Sequence, residues 1–320
     1  MSRKKIVALS GGVGGAKLSA GLAALLPASD LTIIVNTGDD AEHFGLSVAP
    51  DIDTQLYTLS GRADLARGWG QKDETWNAMG MLREMGEEVW FNIGDHDLGL
   101  NLLRTMRLKR GDRLTDITAD FARALGLGMA LLPMSDTPVS TLIRCDARDY
   151  EFHEWFVQAQ GKPTVRDLVF RGAETAPMSP EVSAALRDPD LAAILIAPSN
   201  PYLSIAPILA VQGLRAALIA ARAPVIGISP VVGGQAIKGP TAAMLSGFGL
   251  PVTAAAVAAL HADIFDGYIL DQRDHLDQTA FQALDIHAIQ ADTMMVDHPA
   301  KEALARVALD FAAQLSKVSA

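Results

Sequence analysis

Short apolar runs rich in Ile, Val and Leu alternate along the whole chain with stretches of helical periodicity, and this rhythm constrains the fold more than any other feature. Strands whose residues are nearly all apolar are typical of parallel sheets, which helices cover on both faces. The predicted strands are Ile6–Leu9, Leu31–Asn36, Val89–Ile93, Met129–Pro133, Leu191–Ala197, Val225–Ser229 and Gly267–Leu270. The predicted helices are Ala16–Leu25, Thr75–Met85, Leu114–Leu125, Pro180–Leu186, Leu214–Ala221 and Ala300–Leu315. The pattern predicts an α/β fold with an open, mostly parallel sheet.

One segment, residues 137–180, departs from this rhythm. It contains two short strand-like pieces, Thr141–Arg144 and Val165–Phe170, on either side of Trp155. We find no internal repeat and no Pro- or Ser-rich linker. We therefore expect a single domain over residues 1–320 that carries a small β-rich insertion or cap.

Composition excludes several classes of protein. A net charge of −10 and a pI near 5.1 argue against binding along a nucleic-acid backbone, which requires clustered Lys and Arg. The most apolar later run, 191–198, is far shorter than the roughly 20 residues of a membrane span. The first residues lack a secretory apolar segment, and the single cysteine, Cys145, fits a reducing compartment. We expect a cytoplasmic protein without nucleic-acid or membrane partners.

Polar loops follow the predicted strands. In open α/β sheets ligands bind outside the carboxyl ends of the strands, so these loops are expected to converge on one site. They are Ser10–Gly15, Thr37–Asp40, Gly94–Asp97, Met134–Asp136, Pro198–Pro201 and Ser229–Gly234.

The first of these loops is the richest in glycine. A strand, Gly-Gly-x-Gly-Gly and then a helix leave backbone N–H groups free to surround a phosphate. The alternative is a tight turn without a ligand. Lys17 replaces the third glycine of a dinucleotide fingerprint, and Asn36 replaces the acidic residue that would hold a ribose, so a dehydrogenase is disfavoured. The Gly-Lys-Ser/Thr element of a Walker A loop is also absent.

Acidic side chains are dense between residues 36 and 54. Asp39, Asp40, Asp51 and Asp53 are candidate ligands for a hard cation such as Mg²⁺, and helix capping and turn chemistry are the alternative. The run Asp95-His96-Asp97 either joins this site or, through Asp97, caps the next helix. No zinc-binding spacing and no nucleophile motif accompany these residues.

Aromatic residues cluster near the acidic loop in sequence. They suit a flat heteroaromatic ring, with core packing as the alternative. They are Phe44, Tyr57, Trp69, Trp76, Trp90 and Phe91.

Taken in order, eight motifs resemble those of the 2-phospho-L-lactate transferase family. The resemblance covers nearly the whole chain, and the ordered combination is more specific than any single motif. The motifs are GGVGGAK at 11–17, NTGDD at 36–40, PDIDT at 50–54, GWGQKDETW at 68–76, WFNIGDHDL at 90–98, LLPMSD at 131–136, APSNPYLSI at 197–205 and SPVVGG at 229–234.

This resemblance implies a Rossmann-like, doubly wound fold and Mg²⁺-dependent transferase chemistry. Members of the family join a GDP-activated phospho-carboxylate to the ribityl hydroxyl of the deazaflavin FO in coenzyme F420 biosynthesis and release GMP. By similarity, Asp40 and Asp53 are expected to hold the metal or the ribityl chain. From the chemistry of the transfer we expect both to be catalytic and to bind the metal, with Asp40 as principal Mg²⁺ ligand and Asp53 as base, and which of the two is the base stays open. The expected substrate-binding residues are Gly11, Gly12, Gly14, Gly15, Lys17, Asn36, Thr37, Asp51, Asn92, Ser199, Asn200, Pro201 and Ser204.

Several alternatives stay open at the level of sequence. The donor's arm is phospholactate, phosphoenolpyruvate or 3-phosphoglycerate. Asn92 stands where archaeal-type members often carry Lys, so whether this position contacts FO stays open. A non-catalytic nucleotide-sugar-binding regulator with the same core is the alternative function. A mean hydropathy of +0.20 indicates apolar surface beyond the core, and we expect a homodimer.

Overall fold

A seven-stranded parallel sheet forms the centre of the protein in a computed structural model that describes residues 4–236 and 239–318. The strands in chain order are β1 Lys5–Ser10, β2 Leu31–Val35, β3 Ala41–His43, β4 Leu46–Val48, β5 Ala130–Pro133, β6 Ser140–Cys145, β7 Asp149–Glu151, β8 Val165–Arg171, β9 Leu191–Ile196, β10 Val225–Ile228, β11 Val231–Val232, β12 Gln235–Ala236, β13 Gly267–Asp271 and β14 His287–Ala291.

Helices separate most of these strands. The α-helices are α1 Gly12–Leu25, α2 Pro50–Leu59, α3 Asn77–Glu84, α4 Asp95–Lys109, α5 Leu114–Ala124, α6 Pro180–Leu186, α7 Ala206–Ala210, α8 Leu214–Ile219, α9 Thr241–Gly247, α10 Ala254–Ala259, α11 Gln278–Ala283 and α12 His298–Val318. Two 3₁₀ turns, Ala28–Asp30 and Ala262–Ile264, and two π-helical turns, Glu154–Gln158 and Pro201–Ile205, complete the regular structure. Within the described residues, no helix is both long and apolar enough to cross a bilayer.

The strand order of the main sheet is β14-β13-β10-β9-β1-β2-β5. The chain therefore runs outward from β1 through β2 to β5, returns to β9 on the other side of β1, and continues to β14. This reversal of direction creates a topological switch point between β1 and β9, where open α/β sheets bind their ligands. The predicted α/β fold with a doubly wound parallel sheet is confirmed.

Both faces of the sheet are buried, which explains why its strands lack a polar face. Along β1, Val7 and Leu9 point into one hydrophobic cluster, whereas Ile6 and Ala8 point into the other. Helices α1 and α12 pack against each other on the second of these faces. Each fully buried Leu or Ile side chain contributes roughly 1.5–3 kcal/mol, so the two clusters fix the sheet and the loops at its carboxyl edge.

Small antiparallel sheets lie outside the main sheet. Strands β6, β7 and β8 form one of them, within the predicted insertion, and pack around the buried Trp155. A hairpin of β3 and β4 follows β2 directly. The small β-rich segment is thus confirmed, while its boundaries as an insertion of residues 137–180 in one domain stay a prediction.

The prediction of a strand over Val89–Ile93 was wrong. These residues have no strand partner in the described chain and lead into α4 as irregular backbone. Only Ile93 is buried among them, and Asn92 is exposed, so the run cannot serve as an inner strand. Strand β5 is instead the third strand of the main sheet in chain order, and it pairs with β2 at the edge of the sheet.

Other elements also differ from the sequence-based expectation. Helix α1 begins at Gly12, four residues before the predicted start. Strand β14 was not predicted, because it is an edge strand with no fully buried residue and so lacks a continuous apolar run. Helix α4 was not predicted either, because the exposed Leu102 and Leu103 disturb the apolar spacing of its buried face.

Candidate functional site

The loops after β1 and β9 meet at the switch point. Ser199 Oγ accepts a hydrogen bond from Gly11 N at 3.2 Å and donates one to Gly11 O at 2.7 Å. One buried hydroxyl therefore joins the two loops across the middle of the sheet edge. The sequence-predicted Gly11 and Ser199 loops belong to a single site.

Close packing explains three of the four loop glycines. A Cβ on Gly14 would stand 2.6 Å from Pro198 O, and one on Gly11 would stand 2.6 Å from Asp51 Oδ2. A Cβ on Gly15 would collide with the hydroxyls of Ser10 and Ser199. Gly12 differs, because its φ of +62° requires glycine and nothing lies within 4 Å of its Cβ position. Gly12 is thus the loop glycine that faces open space.

Asp51 occupies the amino end of α1. Its Oδ1 accepts a hydrogen bond from Gly12 N at 2.6 Å, and its Oδ2 accepts one from Asn36 Nδ2 at 2.9 Å. Burial raises the pKa of Asp51 to about 6, although both hydrogen bonds oppose that shift. Asp51 lies in the first turn of α2 but does not cap it, because Ala49 is the N-cap residue and no side chain accepts a capping bond. The Asp51 carboxylate instead accepts a hydrogen bond from the first N–H of the neighbouring helix α1.

Four carboxyl groups meet beside this helix end. Asp39, Asp51 and Asp53 are each at most 7% exposed, and Asp40 is half-buried. Burial raises the pKa of all four, and the charges of Asp51 and Asp53 raise the pKa of Asp40 further. Asp40 Oδ1 is buried without a hydrogen-bond partner among the residues that the structure describes. In this acidic centre, Asp39, Asp40, Asp51 and Asp53, burial and mutual repulsion disfavour the simultaneous ionisation of all four carboxyl groups.

Arg104 of α4 is the cation inside the acidic centre. It is 1% exposed and forms an ion pair with Asp53. Its Nη1 donates to Asn101 Oδ1 at 2.7 Å and to Ser47 O at 3.2 Å, so the guanidinium is fixed in place. The Arg104 charge opposes the rise in the pKa of both Asp40 and Asp53. Sequence reasoning missed this residue, which lies 51 positions after Asp53.

Asn36 and Thr37 line the same centre. Asn36 Nδ2 also donates to Asp39 Oδ1 at 3.1 Å, and Asn36 Oδ1 accepts from Gly38 N at 2.8 Å. Thr37 Oγ1 is buried and lacks a hydrogen-bond partner within the described chain. Lys17 is half-buried on the second turn of α1. The predicted residues at the ends of β1 and β2 are therefore brought together.

The loop after β9 is held in shape by the side chain of Asn200. Asn200 Oδ1 accepts hydrogen bonds from Tyr202 N at 2.9 Å and Leu203 N at 3.0 Å, and thus caps the π-helical turn that begins at Pro201. Ser204 in that turn is buried and lies against Gly11. Asn200 Oδ1 is thus used to hold the loop. The amide hydrogens of Asn200 Nδ2 point elsewhere, and Nδ2 lies 3.8 Å from Met244 Sδ.

The Asp95–Asp97 segment joins two helices and does not follow a strand. Asp95 accepts hydrogen bonds from Asn77 N and Ala78 N at the start of α3, both at 3.0 Å. In return Glu74 accepts one from His96 N at the start of α4, at 2.7 Å. Asp95 therefore binds the start of the preceding helix α3, and the expected capping of α4 by Asp97 is not seen, because Gly94 is its N-cap residue and Asp97 Oδ1 has no hydrogen-bond partner among the described residues. Burial, together with the charge of Asp53, raises the pKa of Asp97 to about 6. Asn92 is exposed and accepts a hydrogen bond from Arg83, which places it with this helix pair rather than with Asp40 and Asp53.

The aromatic residues divide into two groups. His43 stacks on Phe91 with ring centroids 3.8 Å apart, and Trp90 contacts the His43 ring edge-on at 5.3 Å. Trp69 and Trp76 flank Arg67, whose guanidinium lies 5.0 and 5.1 Å from their centroids. Phe44 is 41% exposed at the tip of the β3–β4 hairpin, and Tyr57 is buried in the core. Only part of the predicted cluster is therefore available to a flat ligand.

His153 links the small β-sheet segment to the aromatic group that contains His43. His43 Nε2 and His153 Nδ1 lie 2.7 Å apart, although the two residues are 110 positions apart in the chain. Burial lowers the pKa of His43 to about 4 and that of His153 to about 3, so both imidazoles are neutral at pH 7. In this hydrogen bond the N–H of one imidazole donates to the unprotonated ring nitrogen of the other.

The chemistry of the donor set suits a hard cation. Asp40 Oδ1 has no hydrogen-bond partner among the described residues and lies near the carboxylates of Asp51 and Asp53, and Mg²⁺ commonly binds through one or two carboxylates together with substrate phosphates. Among the described residues no group of three or more His, Cys, Asp or Glu side chains is arranged to hold a metal ion by itself. The site therefore fits a cation that is shared with a phosphorylated ligand.

Comparison with known proteins agrees with this geometry. The family model described as 2-phospho-L-lactate transferase CofD matches residues 6–310. The chain belongs to this family. It is 34% identical to a 2-phospho-L-lactate transferase of Methanosarcina mazei over 302 residues, which cover 94% of the chain and 98% of the relative. The chain is a transferase of the CofD type.

Bacterial relatives and solved structures complete the comparison. A phosphoenolpyruvate transferase of Kitasatospora aureofaciens is 39% identical over 318 residues, which cover 97% of the chain and 98% of the relative. A crystal structure of a upf0052 family protein from Bacillus halodurans superposes with a TM-score of 0.63 at 17% identity, over 97% of this chain and 99% of that one. At that identity the likeness concerns the fold alone.

Proposed function

We propose that the protein transfers a phospho-carboxylate group from a GDP-activated donor to the ribityl hydroxyl of FO, with Mg²⁺, and releases GMP. A new bond forms between the hydroxyl oxygen and the phosphorus that bears the carboxylate arm. The bond from that phosphorus to the bridging oxygen breaks, and this oxygen leaves with GMP. One observation carries the proposal: a bare, buried Asp40 oxygen inside an excess of carboxylates, at the switch point of a CofD family sheet.

Mg²⁺ would neutralise the charge that develops on the phosphoryl oxygens and on the leaving group. Asp40 is the proposed principal ligand, since its Oδ1 has no protein partner among the described residues. Asp53 Oδ1 is held by Arg104, and we propose its second oxygen as a metal ligand or as the acceptor of the hydroxyl proton. The role of the protein is mainly to position the reactants.

Backbone and side-chain groups at the rim would bind the diphosphate. Gly12 offers open space at the positive end of α1, which favours an anion. Asp51 already accepts the Gly12 N–H at 2.6 Å, so a phosphate would use the next N–H groups of the first turn or displace that carboxylate. The hydroxyl of Thr37 and the amide hydrogens of Asn200 are proposed to contact the donor as well.

The acceptor ring is proposed to lie against the aromatic side chains beside the acidic centre. Trp90 and Phe91 carry this expectation together with His43, whose ring stacks on Phe91. Tyr57 is buried and is not available to a ligand, so the proposed surface for the acceptor ring lies on the side of the β3–β4 hairpin.

The donor's carboxylate arm is the finer question. The relatives include proteins named 2-phospho-L-lactate transferase and others named phosphoenolpyruvate transferase, at 34% and 39% identity in two examples. The purified protein should be incubated with FO, Mg²⁺ and, separately, the GDP-activated form of phospholactate, phosphoenolpyruvate or 3-phosphoglycerate. Mass spectrometry should detect GMP and an FO adduct with one of the three. No adduct in all three reactions would contradict catalysis, and the absence of FO binding as well would favour the non-catalytic nucleotide-sugar-binding regulator.

A homodimer is also part of the proposal. Five apolar side chains, four on α3 and α4 and one at the C-cap of α3, are at least 44% exposed, which is unusual for large side chains so close in a monomer. They are Met81, Met85, Leu102, Leu103 and Met106.

A further inference from the structure

A second carboxylate with a bare oxygen lies at the same edge of the main sheet. Asp274 follows β13, is 9% exposed, and its Oδ2 has no hydrogen-bond partner among the described residues. Its Oδ1 accepts from Gly234 N at 3.1 Å, in the hairpin after β10. The carboxylate is therefore held between the loops that follow β10 and β13.

The neighbouring Asp271 shows how a carboxylate at this edge is fully hydrogen-bonded. Asp271 is fully buried, but its carboxylate accepts hydrogen bonds from Thr293 N at 2.9 Å, Thr293 Oγ1 at 2.8 Å and Arg273 Nη1 at 2.9 Å. A structural carboxylate at this edge is thus fully satisfied, as buried charges normally are. The Asp274 carboxylate has only the backbone N–H groups of Gly234 and Gly233 close to it, and its Oδ2 makes no hydrogen bond of normal geometry with the described residues, so this oxygen is able to accept one from a ligand.

We propose that Asp274 recognises the guanine base of the donor, by accepting hydrogen bonds from its N1–H and its 2-amino group. This inference rests on the proposed function, because guanine is the part of a GDP-activated donor that offers two adjacent N–H donors to one carboxylate. A carboxylate that faces such a pair binds it through two charge-assisted hydrogen bonds.

The spacing of the sheet supports this assignment. From β1, whose loop begins α1, to β13 there are three strand steps, through β9 and β10. Three steps of about 4.8 Å give roughly 14 Å, which is comparable with the reach of an extended nucleoside diphosphate. A diphosphate beside Gly12 and Asp40 would therefore bring its base to the loops after β10 and β13.

Charge supports the same orientation. The acidic centre lies on the β2 side of the switch point, where a cation-bound diphosphate fits, and Asp274 lies on the opposite side, beyond β9 and β10. An uncharged base with N–H donors suits Asp274, whereas a phosphate would be repelled by it. Adenine is disfavoured because it presents an unprotonated N1 where guanine presents an N–H.

Nucleotide binding to the full chain, measured by isothermal titration calorimetry with Mg²⁺, tests the inference without catalysis. Wild-type protein should bind GDP about 10- to 100-fold more tightly than IDP, which lacks the 2-amino group, and should bind ADP still more weakly. Asp274→Asn should weaken GDP binding by at least about tenfold and improve XDP binding, because the carboxamide donates to the 2-oxo group of xanthine and accepts from N1–H. The thermal midpoint shows whether each variant is folded.

Asp277→Asn is the matched control. Asp277 caps α11 through Ala280 N at 3.0 Å, a role that Asn performs equally well, so its nucleotide preference should equal that of the wild type. Equal GDP affinity in wild type and Asp274→Asn, or equal wild-type affinity for GDP, IDP and ADP, overturns the inference even if FO is converted. GDP selectivity that depends on Asp274 without any FO adduct would uphold the inference and contradict the proposed function.

Discussion

At the level of single residues, the acidic centre contains four carboxylates and one buried guanidinium. Asp39, Asp40, Asp51 and Asp53 each have a raised pKa because burial disfavours their charged forms, and Arg104 offsets this for only two of them. A buried excess of negative charge costs free energy in the absence of a cation. The arrangement is therefore understandable as a binding site rather than as a stabilising network.

Asp40→Asn tests the metal role most simply. The substitution removes one charge from a repulsive group, so the free energy of unfolding should stay equal or rise slightly. Turnover should fall by about 10²-fold or more, because the proposed cation ligand is lost. Steady-state kinetics and thermal unfolding check both parts. Asp310→Asn, at an exposed position of α12, is the control and should leave turnover unchanged.

Arg104→Met tests the buried ion pair. It leaves the carboxylate of Asp53 buried without its partner, and the loss of one member of such a pair costs about 3 kcal/mol of unfolding free energy. Denaturant titration would measure this loss. The double variant Arg104→Met/Asp53→Asn should recover part of it, since the orphaned charge is then absent. A single variant as stable as the wild type would contradict the structural role given to Arg104.

At the level of elements, the β3–β4 hairpin and the small sheet segment are joined through His43 and His153. The folded protein holds both rings neutral, with pKa values of about 4 and 3, whereas the unfolded chain binds protons below about 6.5. This contribution to stability is complete above pH 6.5 and is lost as the pH falls from 6.5 towards 4, because only the unfolded state gains protons there.

His153→Gln should therefore reduce the loss of stability between pH 6.5 and 4. Thermal midpoints of wild type and variant across that range give the comparison, and the difference between them removes the contribution of the aspartates. His287→Gln, at an exposed position of edge strand β14, is the control and should retain the wild-type pH dependence. Parallel pH profiles for wild type and His153→Gln would contradict the buried neutral pair.

The elements also mark the limit of sequence reasoning. The β1–α1 loop and the acids after β2 could be predicted because strand, loop and helix follow one another within a few residues. Arg104 and His153 could not, because their partners lie 51 and 110 positions away and tertiary packing alone brings them together. The Val89–Ile93 run has strand-like residues, but it lies outside the sheet because only Ile93 is buried.

At the level of the whole molecule, the exposed apolar face of α3 and α4 predicts association. Leu103→Glu places a charge in that face and should convert a dimer into a monomer, which light scattering after gel filtration would show. Val296→Glu, also highly exposed but before α12, should remain dimeric. A monomeric wild type would contradict the homodimer.

The central claim is that one edge of the sheet holds a cation at Asp40 and a nucleoside diphosphate beside Gly12. A crystal structure of the protein with GDP and Mn²⁺, with anomalous data at the manganese edge, tests it most directly. The claim predicts one strong anomalous peak against the Asp40 carboxylate, bridged to the diphosphate at the switch point between β1 and β9. A peak or a nucleotide bound away from these residues would contradict it.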